Sequence, residues 1–94
     1  MDYEKLKKLF DEDDCFQIDN ITSEPEKSPY TEIILIRDGS TEDSDYNLTV
    51  EKHTEYEDDY ETIATFSSDL EGLQDAVECF KSHGGKQESI DVFL

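Results

Sequence analysis

Basic residues are scarce in this chain: seven Lys and one Arg stand against 26 Asp and Glu, giving a formal net charge of -18 over 94 residues. Self-repulsion at that density opposes compaction, so the acid is read as serving a partner, and the complement of a dense anionic surface is a cationic one. Phosphate would be repelled, which argues against direct binding of nucleic acid or of an anionic membrane. Tryptophan is absent, and proline and cysteine occur twice each. Cys15 and Cys79 are too few for a disulfide scaffold. No stretch approaches the ~18 apolar residues of a membrane span. The opening Met1-Asp2-Tyr3-Glu4-Lys5 lacks the apolar run of a signal peptide. The expectation is a reduced, cytoplasmic protein, in which the sequons at Asn20 and Asn47 are chance matches.

Salt adaptation would favour Arg and small residues, but Lys outnumbers Arg seven to one here and Ile equals Leu at seven each. That points to a mesophilic host or a virus of one. A mean hydropathy of -0.79 leans toward disorder. Against this, Leu, Ile, Val and Phe number 22 and fall in periodic blocks. The reading is one thinly cored domain over residues 1–94.

Residues 2–12 place Tyr3, Leu6, Leu9 and Phe10 at helical spacing, with Asp2 and Glu4 at the favourable end of the dipole. Asp11 to Asp14 then put four acids at the unfavourable end. Cys15 to Ile21 alternates as a strand with Phe16 and Ile18 inward. Residues 22–29, with Pro25 and Pro29, read as a loop. Thr31 to Arg37 holds Ile33-Ile34-Leu35-Ile36, the most β-prone segment and the expected central strand. After a polar loop through Asp45, Tyr46, Leu48 and Val50 alternate with Asn47, Thr49 and Glu51, and a hairpin joins these two strands. Thr62 to Phe66 reads as a further strand, with Ile63 and Thr65 on one face and Ala64 and Phe66 on the other. Ser68 and Glu71 fit a capping box opening a helix that carries Leu70, Leu73, Val77 and Phe80, stopped by Gly84-Gly85. Ile90 to Leu94 reads as a last strand or a tail packed on the core. The fold class is α+β: a small single domain whose antiparallel sheet of three to five strands is flanked by an N-terminal and a C-terminal helix.

Enzymatic chemistry has no visible seat. There is no nucleophile elbow and no glycine-rich phosphate cradle. Cys79 and His83, at i and i+4, make half a zinc site and lack two further ligands. Asp43, Asp45 and Asn47 have the spacing of the first calcium ligands of an EF-hand, but Leu48 stands where Gly is needed and Thr54 where Glu is needed. No metal or cofactor is expected, and no enzyme.

The acid is therefore the candidate functional element. Alternate strand residues stand roughly 6.6 Å apart on one face, comparable to the roughly 6–7 Å between successive phosphates of a nucleic-acid strand. Glu55, Glu57, Asp59 and Glu61 have that spacing if their segment is extended, with Asp58 among them. Asp43 and Asp45 add to it from the preceding loop, and Glu51 from the exposed face of its strand. Tyr46, Tyr56 and Tyr60 are interleaved with these acids and bring contact area at little entropic cost. The expected partner is a basic protein surface. So high a charge also favours a monomer.

In size, charge and order of elements the whole chain resembles the small acidic phage-encoded DNA-mimic inhibitors, the anti-CRISPR and anti-restriction proteins. The likeness rests on the short N-terminal helix, the sheet containing Thr31-Glu32-Ile33-Ile34-Leu35-Ile36-Arg37, and the helix at Leu70–Phe80. It implies binding of the nucleic-acid groove of a CRISPR effector or similar nuclease, with Asp43, Asp45, Glu55, Glu57, Asp58, Asp59 and Glu61 as the matching carboxylates. Two alternatives remain at this stage. One is an immunity protein neutralising a basic toxin nuclease; the other is an acidic accessory protein without a groove target.

Overall fold

The computed structural model describes residues 1–23, 28–38 and 46–94. It begins with helix α1, Tyr3–Glu12, started by the Asp2 carboxylate, which accepts from the Lys5 backbone N–H at 3.0 Å. Four strands follow: β1 Gln17–Ile21, β2 Thr31–Asp38, β3 Asn47–Thr54 and β4 Tyr60–Ser67. They pair in chain order β1-β2-β3-β4, antiparallel throughout. Helix α2, Leu70–Ser82, returns across the sheet, and the short helix α3, Gln87–Asp91, closes against β1. This is the α+β domain anticipated from the sequence, with four strands and helices toward both termini.

All three helices contribute to one core. Leu6 and Phe10 of α1, Leu73, Ala76, Val77 and Phe80 of α2, and Ile90 of α3 meet Ile18, Ile33, Leu35, Leu48 and Val50 of the sheet. The α2 positions fall at i, i+3, i+4 and i+7, which makes one stripe of a helix. Each such side chain removed from water contributes about 1.5–3 kcal/mol. The radius of gyration, 13.1 Å, matches the roughly 13 Å of an ordinary folded domain of about this length, so the charge does not prevent compaction.

The acids at the end of α1 are resolved by Arg37. Its Nη1 donates to the carbonyls of Phe10 at 2.8 Å and Asp11 at 3.2 Å, placing a guanidinium where the helix dipole is negative. The side chain is buried and its guanidinium carbon lies 4.0 Å from the centroid of the Tyr46 ring. The Tyr46 hydroxyl donates to Asp11 Oδ1 at 2.5 Å, and Lys7 Nζ donates to Asp11 Oδ2 at 2.7 Å. Burial alone would raise the Asp11 carboxyl, but the hydrogen bonds from Lys7 and Tyr46 and the charges of Lys7 and Arg37 outweigh it and hold it below its ordinary value.

Three sequence expectations need correction. The N-cap of α2 is Asp69, not Ser68: its carboxylate accepts from Gly72 N–H at 2.7 Å and from the Ser67 hydroxyl at 2.9 Å. A carboxylate outcompetes a hydroxyl for that dipole. The bulge at Val50/Glu51 turns Ile63 toward the core together with Phe66, so Ile63 and Phe66 share a side despite their odd spacing. Finally, of the two readings of residues 90–94 the strand is not formed: Ile90 lies in α3, and the residues after that helix are the tail packed on the core. Lys86 N–H and the Ser89 hydroxyl both donate to Asn20 Oδ1, tying α3 to β1. Beyond it Phe93 meets Phe16 edge-on at 4.9 Å, and Leu94 packs on the core. Among the described residues no helix is long and apolar enough to cross a membrane.

Candidate functional site

The acidic run 55–61 is not an extended strand. Strand β3 ends at Thr54 and β4 begins at Tyr60, so residues 55–59 are the tip of a hairpin, closed by Glu57 N–H donating to the Thr54 carbonyl at 3.1 Å, and Glu61 stands on β4 beside it. The alternating phosphate-like row expected from Glu55, Glu57, Asp59 and Glu61 is therefore not formed. The turn gathers the same side chains at one end of the sheet instead. Glu57, Asp58, Asp59 and Glu61 are all exposed. Glu57, Asp59, Tyr60 and Glu61 line a cleft of about 240 Å³ with Lys52 and Thr54. Glu55 is held back, accepting from the Ser28 hydroxyl at 2.6 Å.

Tyr56 and Tyr60 set this tip apart from a plain solvated loop. Tyr56 is 88% exposed and has φ 68. The left-handed region costs an L-residue other than Gly, Asn or Asp roughly 1–2 kcal/mol. Neither burial nor turn geometry accounts for a tyrosine there. Tyr60 is 55% exposed and stacks on His53 with centroids 4.9 Å apart. His53 Nε2 in turn lies 3.0 Å from Glu51 Oε1, and the Thr49 hydroxyl donates to Glu51 Oε2 at 3.2 Å. Glu51 is thus half-buried and partnered, on the sheet face away from the helices.

Of the other sequence candidates, Asp43 and Asp45 lie outside the described residues. Tyr46 is corrected: at 5% exposure it is part of the interior, between Arg37 and Asp11. Burial, and then the bond to the Asp11 carboxylate, push its hydroxyl well above the ordinary tyrosine value.

Sequence reasoning passed over the second face of the sheet. Register and alternation place Gln17, Asp19 and Ile21 of β1 beside Ile36, Ile34 and Glu32 of β2, and these beside Thr49, Glu51 and His53 of β3. Asp19 and Glu32 border a concavity of about 260 Å³ with Asn20 and Ile21. The signal was available: Asp19 and Glu32 are out of phase with the buried Ile18 and Ile33.

Two groupings could suggest a metal. Asp13, Asp14 and Cys15 bring ligand atoms within 4.8 Å, all exposed. A hydrogen bond to Asp14, then its charge, push the Cys15 thiol up, away from the thiolate a metal needs. Cys79 Sγ lies 3.8 Å from His83 Nδ1, which itself is 2.9 Å from the Cys79 carbonyl. His83 thereby finishes α2 at its C-terminus, where Gly84 at φ 110 takes the chain away. No family model, curated protein or solved structure matches the chain.

Proposed function

We propose that this protein is an inhibitor of a bacterial defence nuclease, of the CRISPR-effector kind, whose basic nucleic-acid groove it occupies through clustered carboxylates. The observation that carries this reading is the β3–β4 hairpin tip. It displays Tyr56 and Tyr60 among Glu57, Asp58, Asp59 and Glu61 at the end of the antiparallel β3–β4 ladder. Exposed aromatics ringed by an excess of charge of one sign are the composition of an interface centre and rim. The carboxylates would take the place of phosphates against Arg and Lys, and the rings would contact what bases contact. The net charge of -18 would steer encounter with such a groove and make its rate fall with salt.

The test is capture of targets from a bacterial lysate at low and at high salt, with Glu57, Asp58 and Asp59 together replaced by Ala as the control. The reading expects a nucleic-acid-processing enzyme on the native protein and at least tenfold weaker binding by the triple variant, whose fold is unchanged. Recovery of the same basic proteins by both versions would reduce the charge to a solubility device.

A further inference from the structure

The sheet has one face filled by helices and one that no described helix covers. On the open face the described side chains include the carboxylates of Asp19, Glu32, Asp38 and Glu51 and no Lys or Arg. The described cations lie elsewhere. Lys7 and Lys8 pair with Asp11 and Glu12 along α1, Lys5 reaches the Leu94 carbonyl, and Lys81 the Gln87 side chain. Arg37 is buried on the helix side, and Lys52 alternates with Glu51 and His53 onto that same side.

Along the open face the charges are ordered. Asp19 and Glu51 flank Ile34 from the strands on either side, and Glu32 follows two residues along β2. Neighbouring strands stand about 4.8 Å apart and alternate residues about 6.7 Å apart, so the three carboxylates surround Ile34 at roughly 8–10 Å from one another. The Glu32 side chain is half-buried and its carboxylate has no hydrogen bond or ion pair among the described residues, while Asp19 Oδ2 accepts only from Gln17 Nε2, at 3.1 Å. Beside it Ile21, 42% exposed, forms the apolar wall of the 260 Å³ concavity. An arginine combines the needed parts: an aliphatic stem for Ile21 and a planar fork of donors for two carboxylates.

Resting on the proposed function, we infer that this open face is a second docking surface on the same partner. An arginine-bearing segment lies across β1 to β3 and sends one guanidinium between Asp19 and Glu32. The row Ile21, Glu32, His53, Tyr60 runs across the sheet to the hairpin, so one basic partner can cover both. Charge complementarity selects the occupant: a second copy of the chain would bring carboxylates to carboxylates.

Fluorescein-labelled octaarginine, followed by anisotropy in about 0.15 M NaCl, tests this with three isosteric double variants that each remove two charges. Asp19→Asn with Glu32→Gln alters the open face, Glu57→Gln with Asp58→Asn the hairpin, and Asp75→Asn with Glu78→Gln the outer surface of α2. Equal changes in net charge make any difference between them a matter of place. We expect the open-face pair to weaken binding at least fivefold more than the α2 pair, with amide shifts from the peptide centred on residues 19–21 and 32–36. An open-face pair indistinguishable from the α2 pair, beside a hairpin pair that does weaken binding, overturns this inference and leaves the functional reading standing. No binding of octaarginine by the native protein overturns both.

Discussion

Replacing Arg37 by Met should unfold far more than its single side chain suggests. Met keeps much of the volume but cannot donate, so the carbonyls of Phe10 and Asp11, bonded at 2.8 and 3.2 Å, lose their partner at the end of α1. A hydrogen bond from a charged donor contributes about 1.5–3 kcal/mol, and the two share one nitrogen, so they count as little more than one. The guanidinium over Tyr46 at 4.0 Å adds about 0.5–2 kcal/mol. Against this, an apolar replacement avoids the cost of desolvating a charge. The net expectation is a loss of about 2–3 kcal/mol, a large part of the 5–15 kcal/mol typical of a domain. With an m-value near 1 kcal/mol/M, the urea midpoint should fall by roughly 2–3 M. Repeating the titration in 1 M NaCl, where the screening length is about 3 Å, separates local from global effects. Salt should relieve general repulsion in both proteins and leave the difference between them. A midpoint within about 0.5 M of the native value, or a difference erased by salt, would refute the capping role of Arg37.

Other outcomes follow from the same geometry. Tyr46 is raised above its ordinary value of 10.0 in the folded protein, so the stability it contributes is complete below that pH and is lost as pH rises toward its folded value. Ultraviolet titration should show the Tyr46 hydroxyl resisting ionisation until the protein unfolds; its ionisation within an intact fold would contradict its burial. Gly72→Ala gains about 1 kcal/mol of helix propensity, yet its Cβ would sit 2.0 Å from the Ser67 carbonyl oxygen. A lowered melting temperature is expected, and an unchanged or raised one would show that β4 and α2 are not so close. Leu73→Ala should cost about 2–5 kcal/mol by chemical denaturation, since Leu73 is fully buried; a cost below about 1 kcal/mol would remove it from the core. Tyr56→Gly should leave the urea midpoint unchanged or slightly raised, because it relieves the left-handed backbone, while weakening target binding at least tenfold. A fall in stability would show the ring to be structural.

The parts of the fold that were legible in the sequence are those written in periodicity. The alternation of Tyr46, Leu48 and Val50 and the stripe Leu73, Val77, Phe80 were enough to place β3 and α2. The β2 run Ile33-Ile34-Leu35-Ile36 showed no alternation because it is apolar toward both sides: Ile34, on the open face, is only 7% exposed between its strand neighbours Asp19 and Glu51. What was not legible depended on partners distant in sequence. Nothing local to Ile90 reveals that Asn20 will fix a helix 66 residues away by accepting from Lys86. Nothing local to Asp11 reveals that Arg37 and Tyr46 will neutralise it. The acidic hairpin was found by composition, but its shape was misjudged, because alternate spacing presumes an extended chain and the register instead reverses it at residues 55–59.

The central claim is that the carboxylates occupy a nucleic-acid groove, and competition tests it most directly. The enzyme captured by the native protein is immobilised with the labelled protein bound, and duplex DNA bearing its recognition sequence is titrated in at constant ionic strength. The account expects displacement with mutual exclusion, so that the apparent affinity for DNA falls in proportion to the protein present. A stable ternary complex of enzyme, DNA and this protein would contradict it.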